Sequence, residues 1–223
     1  MTGKQKKLAI EMNKFHRRIK KGRIDVWWLY DDGGLTLLVP HLLRLPKSYL
    51  EGAELRVFTI ASSQACAQAD EKKMAALLSK FRIPFTDVRV IADIAREPHP
   101  STFVDFLLSY IALVAEEQRN ILAIRDFEAI IAPLRDNEKE KRSGLIADVD
   151  LAAQKKRTIR QLRARELLQL HSHQSDLIVI TLPVPRLEIC SCLYMSWLDL
   201  MTRDLPPVLM IRGNQTSVLT FYT

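Results

Sequence analysis

The sequence predicts an α/β fold, a mostly parallel sheet flanked by helices. Three observations lead there. Short β-branched and aliphatic runs alternate with longer amphipathic ones, the pattern of repeated strand–helix units. The run DLIVITL, Asp176–Leu182, is aliphatic almost throughout, as suits a parallel strand covered on both faces. Val208–Ile211 and Val218–Tyr222 flank Gly213-Asn214, so an antiparallel hairpin is expected to close the sheet at its C-terminal edge.

The elements follow in order. Ile24–Tyr30 reads as a buried strand, β-branched and aromatic, ending at Asp31-Asp32-Gly33-Gly34. Leu35–Leu45 reads as a helix, apolar nearly all round and bent at Pro40. Glu54–Ala61 is a second strand. Gln68–Phe81 is an amphipathic helix, with Met74, Leu77, Leu78 and Phe81 at helical spacing. Asp87–Asp93 is a third strand, and Glu128–Leu134 ends a further helix. The stretch 136–156 is charged, lacks a period and reads as a loose loop. Lys156–His171 is a basic helix. Ile189–Asp204 is a helix with Leu193, Trp197, Leu200 and Met201 on one stripe. No internal repeat is visible.

The net charge of +7 belongs to one end. Residues 1–23 hold nine Lys/Arg and one acid, Glu11, a basic leader or linker. The rest, 24–223, is nearly neutral, with 24 bases against 25 acids, and reads as the globular body. Such a leader can touch phosphate or anionic lipid, or simply be solvated. No apolar stretch reaches the roughly 20 residues that span a bilayer. The nearest, Phe103–Ala115, is short and contains Asp105, so the chain is expected to be soluble. Cys66, Cys190 and Cys192 form no CxxC pair, which suits free thiols rather than a disulfide or zinc framework.

Few residues carry a chemical signal. Asp31 and Asp32 lie where a parallel strand ends, the place open α/β sheets put ligands. Paired acids there suit a metal, a ligand contact or acid–base work. They suit equally a turn in which aspartate caps the next helix and glycine supplies positive φ, and this structural role is the expected one. No HExxH, GxSxG, GxxxxGK[ST] or GxGxxG accompanies them. His171-Ser-His173 closes a helix, where the dipole favours cations. Cys190-Ser-Cys192 opens one, where a thiol becomes more acidic. Neither has further partners nearby in sequence. Arg212-Gly213-Asn214 could meet a phosphate, but a turn explains it as well. Neither a catalytic residue, a metal ligand nor a cofactor-binding residue is expected, and the chain is not read as an enzyme.

Several segments, taken together, resemble one family. WWLYDDGGLTLL, from Trp27 and Trp28 onward, LRVFTIA, RQLRARELL, IVITLPV, LYMSWLDLMTRDLPPVLMIRGN and the terminal SVLTFYT, with Phe221 and Tyr222, are similar to the cytosolic C-terminal domain of the cation–chloride cotransporters. The sodium-dependent branch is the more similar. The resemblance runs in order over most of 24–223 and implies a universal-stress-protein-like fold. It also implies a parent protein whose transmembrane domain moves chloride with sodium and/or potassium, this chain being part of a regulatory, homodimerising domain on the cytoplasmic face of the plasma membrane. Regulatory proteins would be further partners, with no cofactor and no nucleic acid. The chain departs from the family at 98–125, an atypical insertion that reads either as an extra helix or as translated intron. One rival reading is a stand-alone nucleotide-binding module of the stress-protein kind, but the G-x2-G-x9-G-[S/T] run is missing. The other is a hydrolase using Asp31 and Asp32, which lacks a nucleophile.

Overall fold

The computed structural model describes residues 14–61, 66–91, 123–135 and 145–219. They fall into two compact units. One comprises Met1–Ala92, Ser175–Leu182 and Pro207–Thr223, the other Asp93–Gln174 and Pro183–Pro206.

The first unit is built on a five-stranded sheet in the order β3-β2-β1-β4-β5. The strands are β1 (Arg23–Trp28), β2 (Glu54–Ile60), β3 (Asp87–Ile91), β4 (Leu177–Thr181) and β5 (Val208–Ile211), and every neighbouring pair is parallel. Helices α1 (Leu35–Leu43) and α2 (Ala67–Lys80) join β1 to β2 and β2 to β3. The chain is therefore of the α/β class.

Alternation along the strands divides the sheet into two faces. Val26 stands between Val57 and Val179 in register, and with Ile24, Leu55 and Val88 it forms one face. Leu37 of α1 and Met74 and Leu78 of α2 complete that core. Burying each such aliphatic side chain contributes about 1.5–3 kcal/mol, so this layer holds the unit together. The opposite face carries Asp25, Trp27, Arg56 and Phe58. Trp27 and Phe58 lie opposite one another and stack, with ring centroids 4.5 Å apart. All five residues of β4 are buried, which explains why no polar alternation interrupts them.

Within α1, Pro40 is buried and His41 follows it. The His41 Nδ1 is buried without a hydrogen-bond partner. Burial, and then the nearby Arg44 charge, hold the His41 pKa below its usual value. A histidine that resists protonation when folded disfavours folding in acid, because the unfolded chain binds the proton more readily. Stability is therefore expected to fall as pH drops below the unfolded value of about 6.5. Melting at neutral and mildly acidic pH, for the parent and for His41→Gln, checks this. A slope that survives the substitution unchanged would assign the effect to other groups.

The C-terminal edge departs from the sequence reading. The expected antiparallel partner for β5 does not form among the described residues. After Ile211 the chain runs without strand through 212–219, and the Val218 amide donates to the Gly33 carbonyl at 2.9 Å instead of to β5. Gly33 and Gly34 in the β1–α1 turn carry no Cβ, which leaves room for Thr216 and Leu219 to close on them. Residues 220–223, which include three of the five residues of the expected strand, lie outside the described residues, as do 98–122 of the insertion expected at 98–125 and residues 1–13 of the basic leader.

The described helices of the second unit are α3 (residues 123–131), continued by a 3-10 turn at Ala132–Leu134, α4 (Asp148–Ala153), α5 (Lys155–Ser172) and α6 (Ser191–Thr202). The stretch 136–156, expected as a loop, contains α4 and the start of α5. Asp150 explains the first, because its carboxylate accepts the Ala147 amide at 3.2 Å and closes the helix start. Phe127, Ile130, Ile131, Ile146, Leu193, Trp197 and Leu200 form this unit's core, so the stripe predicted on α6 does face inward. The Trp197 indole N–H donates to the Thr158 hydroxyl at 3.2 Å, tying α6 to α5.

Candidate functional site

Open parallel sheets place ligands at the carboxyl ends of their strands, where the strand order reverses. In this sheet the reversal falls between β1 and β4. The β1 turn, Leu29–Gly34, leaves from that point. It begins with a hydroxyl clamp: Thr181 Oγ1 on β4 accepts the Leu29 amide and donates to the Trp27 carbonyl, both at 3.3 Å.

The two aspartates then divide. Asp31 is exposed, and its Oδ1 accepts only the Gly33 amide, at 3.0 Å. Asp32 is 3% exposed. Its Oδ1 accepts the Gly34 amide at 3.1 Å, and its Oδ2 accepts the Thr36 amide at 3.0 Å and the Thr36 hydroxyl at 2.5 Å. The two amides are orphan donors at the start of α1, so the Asp32 carboxylate is engaged in starting a helix. Gly33 and Gly34 have φ of 77° and 88°, where a Cβ is strained.

The sequence-predicted residues at the other end of the chain come to the same place. An ideal Cβ on Gly33 would lie 2.0 Å from the Thr216 carbonyl oxygen, and one on Gly34 would lie 2.6 Å from the Leu219 side chain. One on Gly213 would lie 2.0 Å from the Asp32 carbonyl oxygen. Asn214 Oδ1 accepts the Thr216 amide at 3.0 Å, which turns the chain onto the glycines. Arg212 is exposed beside this contact. Trp27 is fully buried, and Trp28 packs partly buried against the aliphatic core with its indole N–H unpartnered. Phe221 and Tyr222 lie outside the described residues.

The position where such sheets hold a ligand is thus taken up by the chain's own backbone. The arrangement offers mutual satisfaction of turn groups rather than a nucleophile and a base. The histidine and cysteine pairs do not add one. Cys190 Sγ approaches the Leu145 carbonyl at 3.5 Å, and Cys190 and Cys192 pack against the second unit's core. Among the described residues no cluster of three or more His, Cys, Asp or Glu could hold a metal ion.

Sequence reasoning missed two arrangements. Asp25 and Arg56 form a bidentate ion pair on the sheet, with Nε–Oδ1 at 2.8 Å and Nη2–Oδ2 at 2.5 Å. A strand-to-strand pairing of this kind is invisible until register is known. In the second unit, Arg165 is buried beside a cavity, though it reads in sequence as one more base on a basic helix.

Comparison with known proteins agrees with the segment resemblances. The family model for Solute carrier family 12 matches residues 1–223. Solute carrier family 12 member 2 of Homo sapiens is 40% identical over 229 aligned positions, which cover 97% of this chain and 17% of that protein. Solute carrier family 12 member 1 of Oryctolagus cuniculus is 41% identical, with 97% of this chain and 19% of the relative covered. The bumetanide-sensitive sodium-(potassium)-chloride cotransporter of Manduca sexta is 39% identical, with 96% and 18% covered. The chain therefore spans less than a fifth of the length of these relatives. With a family match from first residue to last, and relatives of about 40% identity along nearly the whole chain, this chain belongs to Solute carrier family 12.

Proposed function

We propose that the chain is the distal part of a cytosolic regulatory and assembly domain of an electroneutral symporter that moves chloride with sodium and/or potassium. The observation that carries this reading is one of coverage. Relatives with cotransporter and solute-carrier names match nearly all of this chain while it covers only 17–19% of them. No helix among the described residues is long and apolar enough to cross a membrane. Ion translocation then belongs to the parent's transmembrane domain, on the cytoplasmic face of which this chain sits. Its contribution is assembly as a homodimer and the docking of regulatory proteins, not catalysis.

The test is made on a full-length parent. Removing the segment that corresponds to 24–223 is expected to abolish surface delivery or chloride-dependent cation uptake, measured by surface labelling and tracer flux. Undiminished delivery and flux would refute a role in assembly. Light scattering of the chain alone over a concentration series is expected to show a dimer at high concentration, and a strict monomer would place the dimer contacts elsewhere in the parent. Titration with ATP separates this from the stand-alone nucleotide module. Micromolar binding by the chain alone would favour the module, whereas the crowding of Gly33 and Gly34 by Thr216 and Leu219 predicts none at the β1 turn.

A further inference from the structure

The second unit contains a cavity of about 500 Å³. That lies within the range of small-molecule sites, about 300–1,000 Å³. It is walled by α3, by the second half of α5 and by the turn after α6. Arg165 lines it with a side chain only 5% exposed. Its Nη1 is buried without a hydrogen-bond partner. Its Nη2 stands 3.7 Å from an Asp126 carboxylate oxygen and 3.8 Å from one of Asp204. Both separations exceed ordinary hydrogen-bond length. A buried charged donor left unpaired is costly, which favours an acceptor supplied from the cavity that Arg165 lines.

The neighbouring groups narrow the acceptor's chemistry. Glu166, also in the wall, already accepts from Arg163 at 2.9 Å. Gln169, also in the wall, donates to the Asp204 carbonyl at 3.1 Å. Arg125 and His173 stand exposed at the cavity. With Glu166 engaged by Arg163 and the nearby Arg203 engaged by Asp199, Asp126 and Asp204 are left to face Arg165 and Arg125. A dianion such as phosphate would be repelled by two carboxylates within 4 Å of the guanidinium. A molecule carrying one carboxylate and one ammonium would meet both signs. We propose that this cavity binds a small zwitterion of the amino-acid class, its carboxylate on Arg165 and its ammonium on Asp204, the more open of the two carboxylates.

The site rests on the second unit alone and is independent of transport by any parent. The experiment uses the whole 223-residue chain. Thermal shift with each proteinogenic amino acid at millimolar concentration is the first arm, with succinate and inorganic phosphate as anion controls, and isothermal titration follows for any that shift. At least one amino acid is expected to bind, and more tightly than either control. Arg165→Gln is expected to weaken that binding by about tenfold or more, as removal of a hydrogen bond to a charged group does. Because a variant at this buried position can also fail to fold, Asp204→Asn is the second arm, at a side chain that is 80% exposed. It is expected to weaken the amino acid several-fold and to leave succinate no weaker. Absence of binding by every amino acid overturns the proposal. So does preference for succinate or phosphate, or indifference of the bound amino acid to Asp204→Asn.

Discussion

Replacing Asp25 with alanine is expected to destabilise the chain by about 3–5 kcal/mol, the cost of removing one partner from a buried ion pair. Asp25 is fully buried, and the Arg56 side chain is only 13% exposed. The loss arises less from the missing attraction than from the guanidinium left behind in a dry environment. A domain's whole stability is typically about 5–15 kcal/mol, so the variant should approach the edge of folding at body temperature. The pair itself is a weak stabiliser by comparison. Removing both charges together, as Asp25→Leu with Arg56→Met, is expected to recover most of the loss, since an apolar pair of similar volume needs no desolvation. Part will remain lost, because Arg56 also lies over the Phe58 ring at 5.3 Å. Denaturant melts of the three variants decide it. A single variant as stable as the parent, or a double variant worse than the single, would sink this account.

Gly213→Ala is expected to cost about 1–3 kcal/mol, the usual penalty for forcing an extra methyl group into filled space. The added Cβ would sit 2.0 Å from the Asp32 carbonyl oxygen, an atom of the backbone that cannot rotate away. Either the β1 turn shifts or the segment 214–219 lifts from it, and the second route also forfeits the bond from the Val218 amide to the Gly33 carbonyl. Gly33→Ala should be worse, because it adds strain at φ 77° to a clash with Thr216. Gly52 is the control. It also has positive φ, 70°, but nothing lies within 4 Å of its Cβ position, so Gly52→Ala meets strain without a clash. Thermal melts, with limited proteolysis to report release of the C-terminal segment, give the order Gly52→Ala mildest and Gly33→Ala most severe. A harmless Gly213→Ala, with Gly33→Ala and Gly52→Ala equally costly, would mean that backbone strain alone matters and the close contacts do not.

Much of this molecule was written locally. Leu177–Thr181 is a strand whose aliphatic run is unbroken up to Thr181, and that continuity already implied a parallel sheet covered on both faces, while Ile24–Trp28 and Leu55–Phe58 are strands because β-branched and aromatic residues surround a single charge in each, Asp25 and Arg56. Asp32, Gly33 and Gly34 announced a strand-to-helix turn because capping and positive φ are demands of the backbone within a few residues. The family was legible for the same reason, through contiguous segments. What the sequence could not determine depends on contacts between residues far apart in the chain. Nothing in Gly213-Asn214 says that the chain after it will dock on Gly33 rather than return along β5, since a hairpin signal and a close-approach glycine read alike. Asp25 is one acid among 26 until register places it beside Arg56. Arg165 is one base on a basic helix until folding buries it near Asp126 and Asp204, and burial of a charge is a property that only the tertiary structure confers.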